Sequence, residues 1–268
     1  MAFRVFSDFG KHENQQVADN LQDICQTDIL STCFITVDFT LEVFHVHLAK
    51  PQQYAIAWAL FPVIFVWLIN GFYMAALARI SGPLFWSVDV VQWIVLPITL
   101  LAILSKRASV LPKNYGLDIS ALRWQSPIMG TLAVFVTTGL AFSMTRNLSW
   151  HLFGQPTGFF SLPNVFPQGI LGTIVWLYSA LTAGIVESIF FIGLPWLLYH
   201  NARREPSRVA FALVTSVVFA SAHWEQGPHV LIGAYFSNVV ACFWFFQLGT
   251  LWPVAAGHVL VDLVAFWQ

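Results

Sequence analysis

Residues 169–199 read GILGTIVWLYSALTAGIVESIFFIGLPWLLY, an apolar run with one charged side chain, Glu187. The run is long enough to cross a membrane, because a helix needs about 20 apolar residues to span the hydrocarbon core. An ionisable group there costs about 2.5–3.5 kcal/mol on insertion scales, so such groups usually face a cavity and serve a function. We therefore expect a membrane helix whose acid marks a functional site.

The composition of the whole chain is also that of a membrane protein. Hydrophobic residues make up 57% of the 268 residues, charged residues only 9%, and the mean hydropathy is +0.70. A soluble domain has about 25% charged residues. The predicted fold class is therefore all-α, a polytopic membrane helix bundle whose surroundings are the lipid bilayer. The formal net charge of -1 and the lack of a basic, aromatic-interleaved patch argue against a nucleic-acid partner.

About seven transmembrane helices are expected, at 54–80, 85–105, 127–148, 169–199, 209–223, 229–247 and 250–267. The fifth segment is short for a full crossing. Basic residues concentrate in 106–123 and 203–208, which the positive-inside rule places on the cytoplasmic side together with the N-terminus. We expect an integral, multi-pass protein of a bacterial inner (plasma) membrane.

The first 50 residues differ from the rest of the chain. Residues 35–43 alternate apolar and polar side chains, which predicts one amphipathic strand. One strand makes no domain, and no cleavable signal peptide is recognisable. We expect residues 1–50 to be a poorly ordered N-terminal extension without an assigned function. Residues 51–268 should form the transmembrane domain, with the chemically informative motifs in 169–268.

Further ionisable residues occur in the last three apolar segments. Phe219 and His223 are one helical turn apart and share a face, as do His258 and Asp262. Asp262 can fix the tautomer of His258, or both can bind one water or ion. Taken singly, His223 is commonly an interfacial anchor and a His–Asp pair can merely satisfy itself. With Glu187, four such residues on three of the predicted helices favour an active site.

The helix around Glu187 should also be irregular. Pro195 has no N–H and disrupts the bond to the carbonyl of Phe191, while Gly193 allows a close backbone approach. A kink beside an intramembrane acid opens polar backbone toward a cavity.

The arrangement of these residues resembles the CPBP family of intramembrane endopeptidases, which includes CAAX prenyl proteases and bacteriocin-processing relatives. The matching features, in chain order, are Glu187 with Phe191 and Gly193, then Phe219-x-x-x-His223, then residues 249–253 (GTLWP) leading to His258-x-x-x-Asp262. Order and spacing agree over residues 169–268, whereas the N-terminal half agrees only in being helical membrane protein.

The resemblance implies a role for each of the four residues. Glu187 and His223 would activate a water molecule for attack on a peptide bond, and His258 with Asp262 would stabilise the oxyanion. The implied substrate is a membrane-associated or lipidated protein or peptide. Metal use is disputed in this family: Glu187, His223 and His258 could hold zinc, but the sequence contains no HExxH motif. We leave the metal open.

Three positions depart from the family pattern. Ser188 and Ile192 replace the usual second glutamate and an arginine one turn later, and Asp262 stands where asparagine is commoner. Losing the acid and the base together leaves no orphan charge. A carboxylate donates to an oxyanion only when protonated, so Asp262 could instead orient His258.

Two other classes of function remain open. A catalytically inactive relative, acting as a membrane scaffold or immunity protein, would keep the fold and tolerate loss of Glu187. A proton- or ion-coupled transporter would also place Glu187, Asp89 and Asp262 in membrane helices, but it predicts an internal repeat, which the sequence lacks. Asp89 lies near the start of the second segment, where an interfacial position is the simplest expectation.

Overall fold

The computed structural model describes residues 47–118, 125–154, 158, 165–203 and 206–267. The chain divides into two units, 1–40 and 41–268, and the description below concerns the second. The strand predicted for 35–43 and most of the N-terminal extension lie outside the described residues.

Nearly all of the regular structure in these residues is helical, and none of the described residues belongs to a strand. The seven helices are α1 (Lys50–Ile80), α2 (Gly82–Ala108), α3 (Gln125–Phe153), α4 (Ile170–Ala202), α5 (Arg208–Ser221), α6 (Pro228–Leu248) and α7 (Trp252–Ala265). Five of them are long and apolar enough to cross a membrane, and α5 and α7 are apolar but only 14 residues each. The predicted all-α membrane bundle is confirmed.

Helix α4 is the centre of the bundle. In its apolar 18-residue stretch 61% is buried, against 17–44% in the corresponding stretches of the other four long helices. It packs against α1, α5 and α7. On the α1 side, the ring of Trp67 stacks on Trp93 of α2 at 4.5 Å and contacts Phe191 of α4 at 5.4 Å. The helix that carries Glu187 is therefore enclosed by its neighbours, while large apolar side chains of the outer helices remain exposed to the surroundings.

The middle of α4, Ala183–Gly193, is π-helical. Such segments are rare and frequently occur at functional sites. Just beyond it, Pro195 has no N–H to offer the carbonyl of Phe191, and the hydroxyl of Thr215 on α5 donates to that carbonyl instead. Gly193 is where the backbone comes close, since a Cβ there would lie 2.8 Å from the carbonyl oxygen of Tyr115. The irregularity expected from the sequence is present, and α5 satisfies the buried carbonyl.

The GTLWP stretch attaches α7 to the rest of the bundle. Gly249 ends α6 with a positive φ of 65°, a conformation that favours glycine. The next two residues bond to one acceptor in the α2–α3 connection: Leu251 N–H and the Thr250 hydroxyl both donate to the carbonyl of Gly116, at 2.8 and 3.0 Å. These bonds fix where α7 begins, and hence where His258 lies.

We expect Thr215→Val to destabilise the protein by about 1–3 kcal/mol, because the buried carbonyl of Phe191 loses its donor. Thr215→Ser keeps the hydroxyl and should stay close to wild type. Denaturant titration of the protein in detergent micelles measures the difference in the free energy of unfolding between the variants. Equal stability of the Val and Ser variants would contradict the assigned bond.

Candidate active site

Four predicted residues come together on the inner side of α4. Glu187 is approached by His223, which follows α5, with Nε2 3.8 Å from Oε1, and by His258 of α7, with Nε2 3.5 Å from Oε2. Asp262 Oδ2 lies 3.6 Å from the same Nε2 of His258. The Glu187 side chain is only 6% exposed, and the two imidazoles are about one-fifth exposed. Residues up to 75 positions apart in sequence thus form one acid–imidazole cluster.

A close helix contact sets the position of Glu187 relative to α7. A Cβ added to Gly184 would lie 2.5 Å from the backbone nitrogen of Val259, a distance that real Cβ atoms essentially never show. Only glycine lets the two backbones approach this far. Because Gly184 precedes Glu187 by three residues and Val259 follows His258, this contact brings the carboxylate to the imidazole.

His223 is held in one orientation by the residue one turn before it. Its Nδ1 is 2.9 Å from the carbonyl oxygen of Phe219, and the two rings are in contact at 4.7 Å. A carbonyl only accepts, so we assign the proton to Nδ1, which leaves Nε2 as an acceptor facing Glu187. The shared face predicted for Phe219 and His223 therefore orients the imidazole.

His258 presents the same nitrogen to two carboxylates. Because Glu187 and Asp262 both approach Nε2, we assign the proton of His258 to that nitrogen. Asp262 thus lies beside Nε2, the nitrogen of His258 that carries the proton, and not beside Nδ1. Its Oδ2 has no hydrogen-bond partner among the described residues.

The zinc hypothesis finds no support in this geometry. The two imidazoles approach different oxygens of Glu187. Among the described residues, no group of three or more His, Cys, Asp or Glu side chains could hold a metal ion. We therefore derive no step through a metal.

A cavity of about 80 Å³ adjoins the cluster. We call it the acidic cavity, because Asp89, Glu187 and Glu225 line it together with Asn70, Gln92 and Ser179. His223 also lines it, whereas His258 lies outside it. The acid and imidazole expected to activate water thus both border this cavity.

The side chain of Asp89 lies inside the bundle, and the interfacial depth expected for this residue stays a prediction. Asp89 is 5% exposed and accepts a hydrogen bond of 2.8 Å from the Tyr178 hydroxyl of α4. Its place in α2 is near the helix start in sequence, but α1 and α4 pack over it, so the side chain points into the bundle.

Sequence reasoning missed Glu225, two residues after His223 in the turn Trp224–Gln226. This side chain is 5% exposed, and burial raises the pKa of its carboxyl to about 7. The signal was available, since Glu225 is the one acid between residues 206 and 261.

The two neutral replacements in the motif fit their surroundings. Ser188 is buried and donates to the carbonyl of Gly184 at 2.6 Å, and Ile192 is 2% exposed in the apolar core. Neither position leaves an unpaired charge, as the coordinated loss of acid and base predicts.

Fold and cluster together define a multi-pass helical membrane protein with a buried Glu–His–His–Asp site. Residues 167–264 match the family described as type II CAAX prenyl endopeptidase, Rce1-like, which places this segment in the CPBP and CAAX protease family and confirms the resemblance. The family match indicates an intramembrane protease, a hydrolase of peptide bonds. A comparison with curated proteins found no match, and a comparison with solved structures found none.

Gly184→Ala should separate α4 from α7, because the added methyl group meets backbone that cannot give way. We expect a loss of about 1–3 kcal/mol of stability, typical of overpacking. Gly139→Ala is a matched control: Gly139 of α3 also faces α7, but its Cβ would meet only Val261, at an ordinary 3.7 Å. Thermal unfolding in micelles compares the two. Equal effects would argue against the tight contact.

Proposed function

We propose that the chain is a glutamic-type intramembrane endopeptidase that cleaves a membrane-associated or lipidated protein. The observation that carries this is the pair of imidazoles on the two oxygens of one buried carboxylate, Glu187. The family match supports the same reaction class.

In the proposed mechanism, Glu187 and His223 hold the attacking water. Their separation of 3.8 Å is too long for a direct hydrogen bond and short enough for one water to donate to both acceptors. A water bound through its two hydrogens keeps its lone pairs free to attack the scissile carbonyl carbon. The Glu187–His223 pair takes up one proton as the C–O bond forms.

His258 and Asp262 act on the oxyanion that the attack produces. The Nε2–H of His258 donates to the oxyanion, and the Asp262 carboxylate beside that nitrogen polarises the N–H bond and orients the imidazole. When the tetrahedral intermediate collapses, the C–N bond breaks and the proton held by Glu187 and His223 passes to the leaving amine. Water is thereby divided between the new carboxyl and amino termini.

The two alternative functions make different demands on the cluster. A scaffold or immunity protein needs no hydrolytic water and should keep its function in Glu187→Gln. Asp89, Glu187 and Asp262 all lie in apolar helices, as a transporter also requires. The two imidazoles on one carboxylate and the protease-family match favour hydrolysis over transport.

Glu187→Gln, His223→Ala and His258→Ala should each reduce cleavage by at least about 10²-fold while the protein still accumulates in the membrane. Proteomics of membranes from cells that express wild type or each variant would detect termini that require the wild type. Wild-type levels of these termini with any of the three variants would overturn the assignment.

Two substitutions of Asp262 distinguish the effect of its charge from the effect of its hydrogen bonding. Asp262→Asn should stay within about tenfold of wild type, because the amide donates to the oxyanion directly, whereas apolar Asp262→Leu should lose about 10²–10³-fold. The rate at which the same termini appear measures both variants. Cleavage at the wild-type rate by Asp262→Leu would remove Asp262 from the mechanism.

A further inference from the structure

The acidic cavity holds more acidic groups than the proposed hydrolysis requires. Three carboxyl groups line it, from Asp89, Glu187 and Glu225, and no lysine or arginine is among the described residues of its lining. Of these described residues, His223 is the one whose side chain can become positive, and it is committed to Glu187 and Phe219. An acid inside a membrane protein usually faces a partner of opposite charge or a water-filled path.

Among the unpaired polar atoms that line this cavity, acceptors outnumber dedicated donors, of which Trp67 Nε1–H is one. Asn70 Oδ1 and Glu225 Oε2 are buried without a hydrogen-bond partner among the described residues, and the Ser179 hydroxyl is in the same situation. Buried acceptors of this kind are rare in native structures and call for an explanation. A ligand that completes the cavity has to bring several donors.

The cavity wall suits a cation with an apolar stem. Trp67 and Trp93 stack on each other at 4.5 Å, and both line the cavity together with Phe85. Aromatic faces attract ammonium and guanidinium groups, most strongly where water is excluded. Carboxylates, free acceptors and aromatic rings thus point to the same ligand chemistry.

We propose that the acidic cavity binds a cationic side chain, a lysine or arginine, of the polypeptide substrate next to the scissile bond. This inference rests on the proposed function, because only a protease presents a peptide here. Lysine brings three N–H donors and arginine five. Since Glu187 borders both the cavity and His258, the cationic residue lies beside the bond that is cut. Glu225 and Asp89 would then set substrate specificity.

Charge-selective cysteine labelling tests the cavity without any need for a cleavable substrate. Ser179→Cys is introduced where Cys25 and Cys33 are serine, and buried Cys242 is kept as a baseline. The protein, reconstituted in vesicles, is treated with methanethiosulfonates that carry either an ammonium or a sulfonate group. We expect the ammonium reagent to react faster by on the order of tenfold or more, because a cleft of one charge concentrates counter-ions.

Removing the cavity acids should remove the preference. In Asp89→Asn and in Glu225→Gln the ratio of the two rates should fall at least threefold, and Asp118→Asn, which removes one acid outside the cavity, should leave it unchanged. n-Butylammonium should protect the cysteine, and n-butanol should not. Ala180→Cys, also at a buried position but outside the cavity, should stay unlabelled. Thr182→Cys replaces Ser179→Cys if that variant does not fold.

Three results would overturn the proposal. Equal rates with both reagents would make the cavity a water chamber without charge selection. A preference that survives both acid substitutions would assign the selectivity to the membrane surface. Absence of labelling above the parent protein at both positions would mean that no side chain can enter. Failure of the protease itself shows up separately, in the comparison of termini from wild type and Glu187→Gln.

Discussion

The burial of Glu187 without a lysine or arginine partner among the described residues is the constraint around which the bundle is organised. Its nearest partners are two imidazoles, and Asp262 and Glu225 add further negative charge close by. A carboxylate in such a place is tolerated only when protons, dipoles or water compensate it. Two short helices, α5 and α7, serve this need, because each brings one histidine to the central helix α4. The site is therefore assembled by helix packing and does not depend on a single local motif.

Local backbone choices convert that constraint into geometry. The π-helical segment of α4 contains Glu187, and its two ends are held by different neighbours. Gly184 admits α7 near one end, and the hydroxyl of Thr215 takes up the carbonyl of Phe191 near the other. A π segment sacrifices regular hydrogen bonding, so it persists where tertiary contacts determine it. The position of the acid is thus fixed by three helices at once.

The cluster could be predicted from the sequence because its members have the same property. Each is an ionisable group in an apolar helix or at its end, and the spacing places neighbouring members on one face of the helix. For Asp89 the sequence gives the place within an apolar segment but not the direction of the side chain. Tyr178 of α4 donates a hydrogen bond to Asp89, and the side chain lines the acidic cavity, which are tertiary contacts that no spacing contains. Glu225 was missed because it lies in a turn between segments, where charge is ordinarily unremarkable. Whether a buried polar group lacks a partner depends on all of its spatial neighbours, and these are known only from the folded structure.

The 14-residue helices α5 and α7 have a consequence for the surrounding lipid. Each is about 21 Å long, roughly 9 Å less than a typical hydrocarbon core. A bilayer meets so short an element by thinning, at a cost of fractions of a kcal/mol per Å. Both histidines are carried by these short elements, so we expect any thinning of the bilayer to be greatest on their side of the protein. Lipid chain length is then a variable that should affect this protein, with thinner bilayers fitting α5 and α7 better than thick ones.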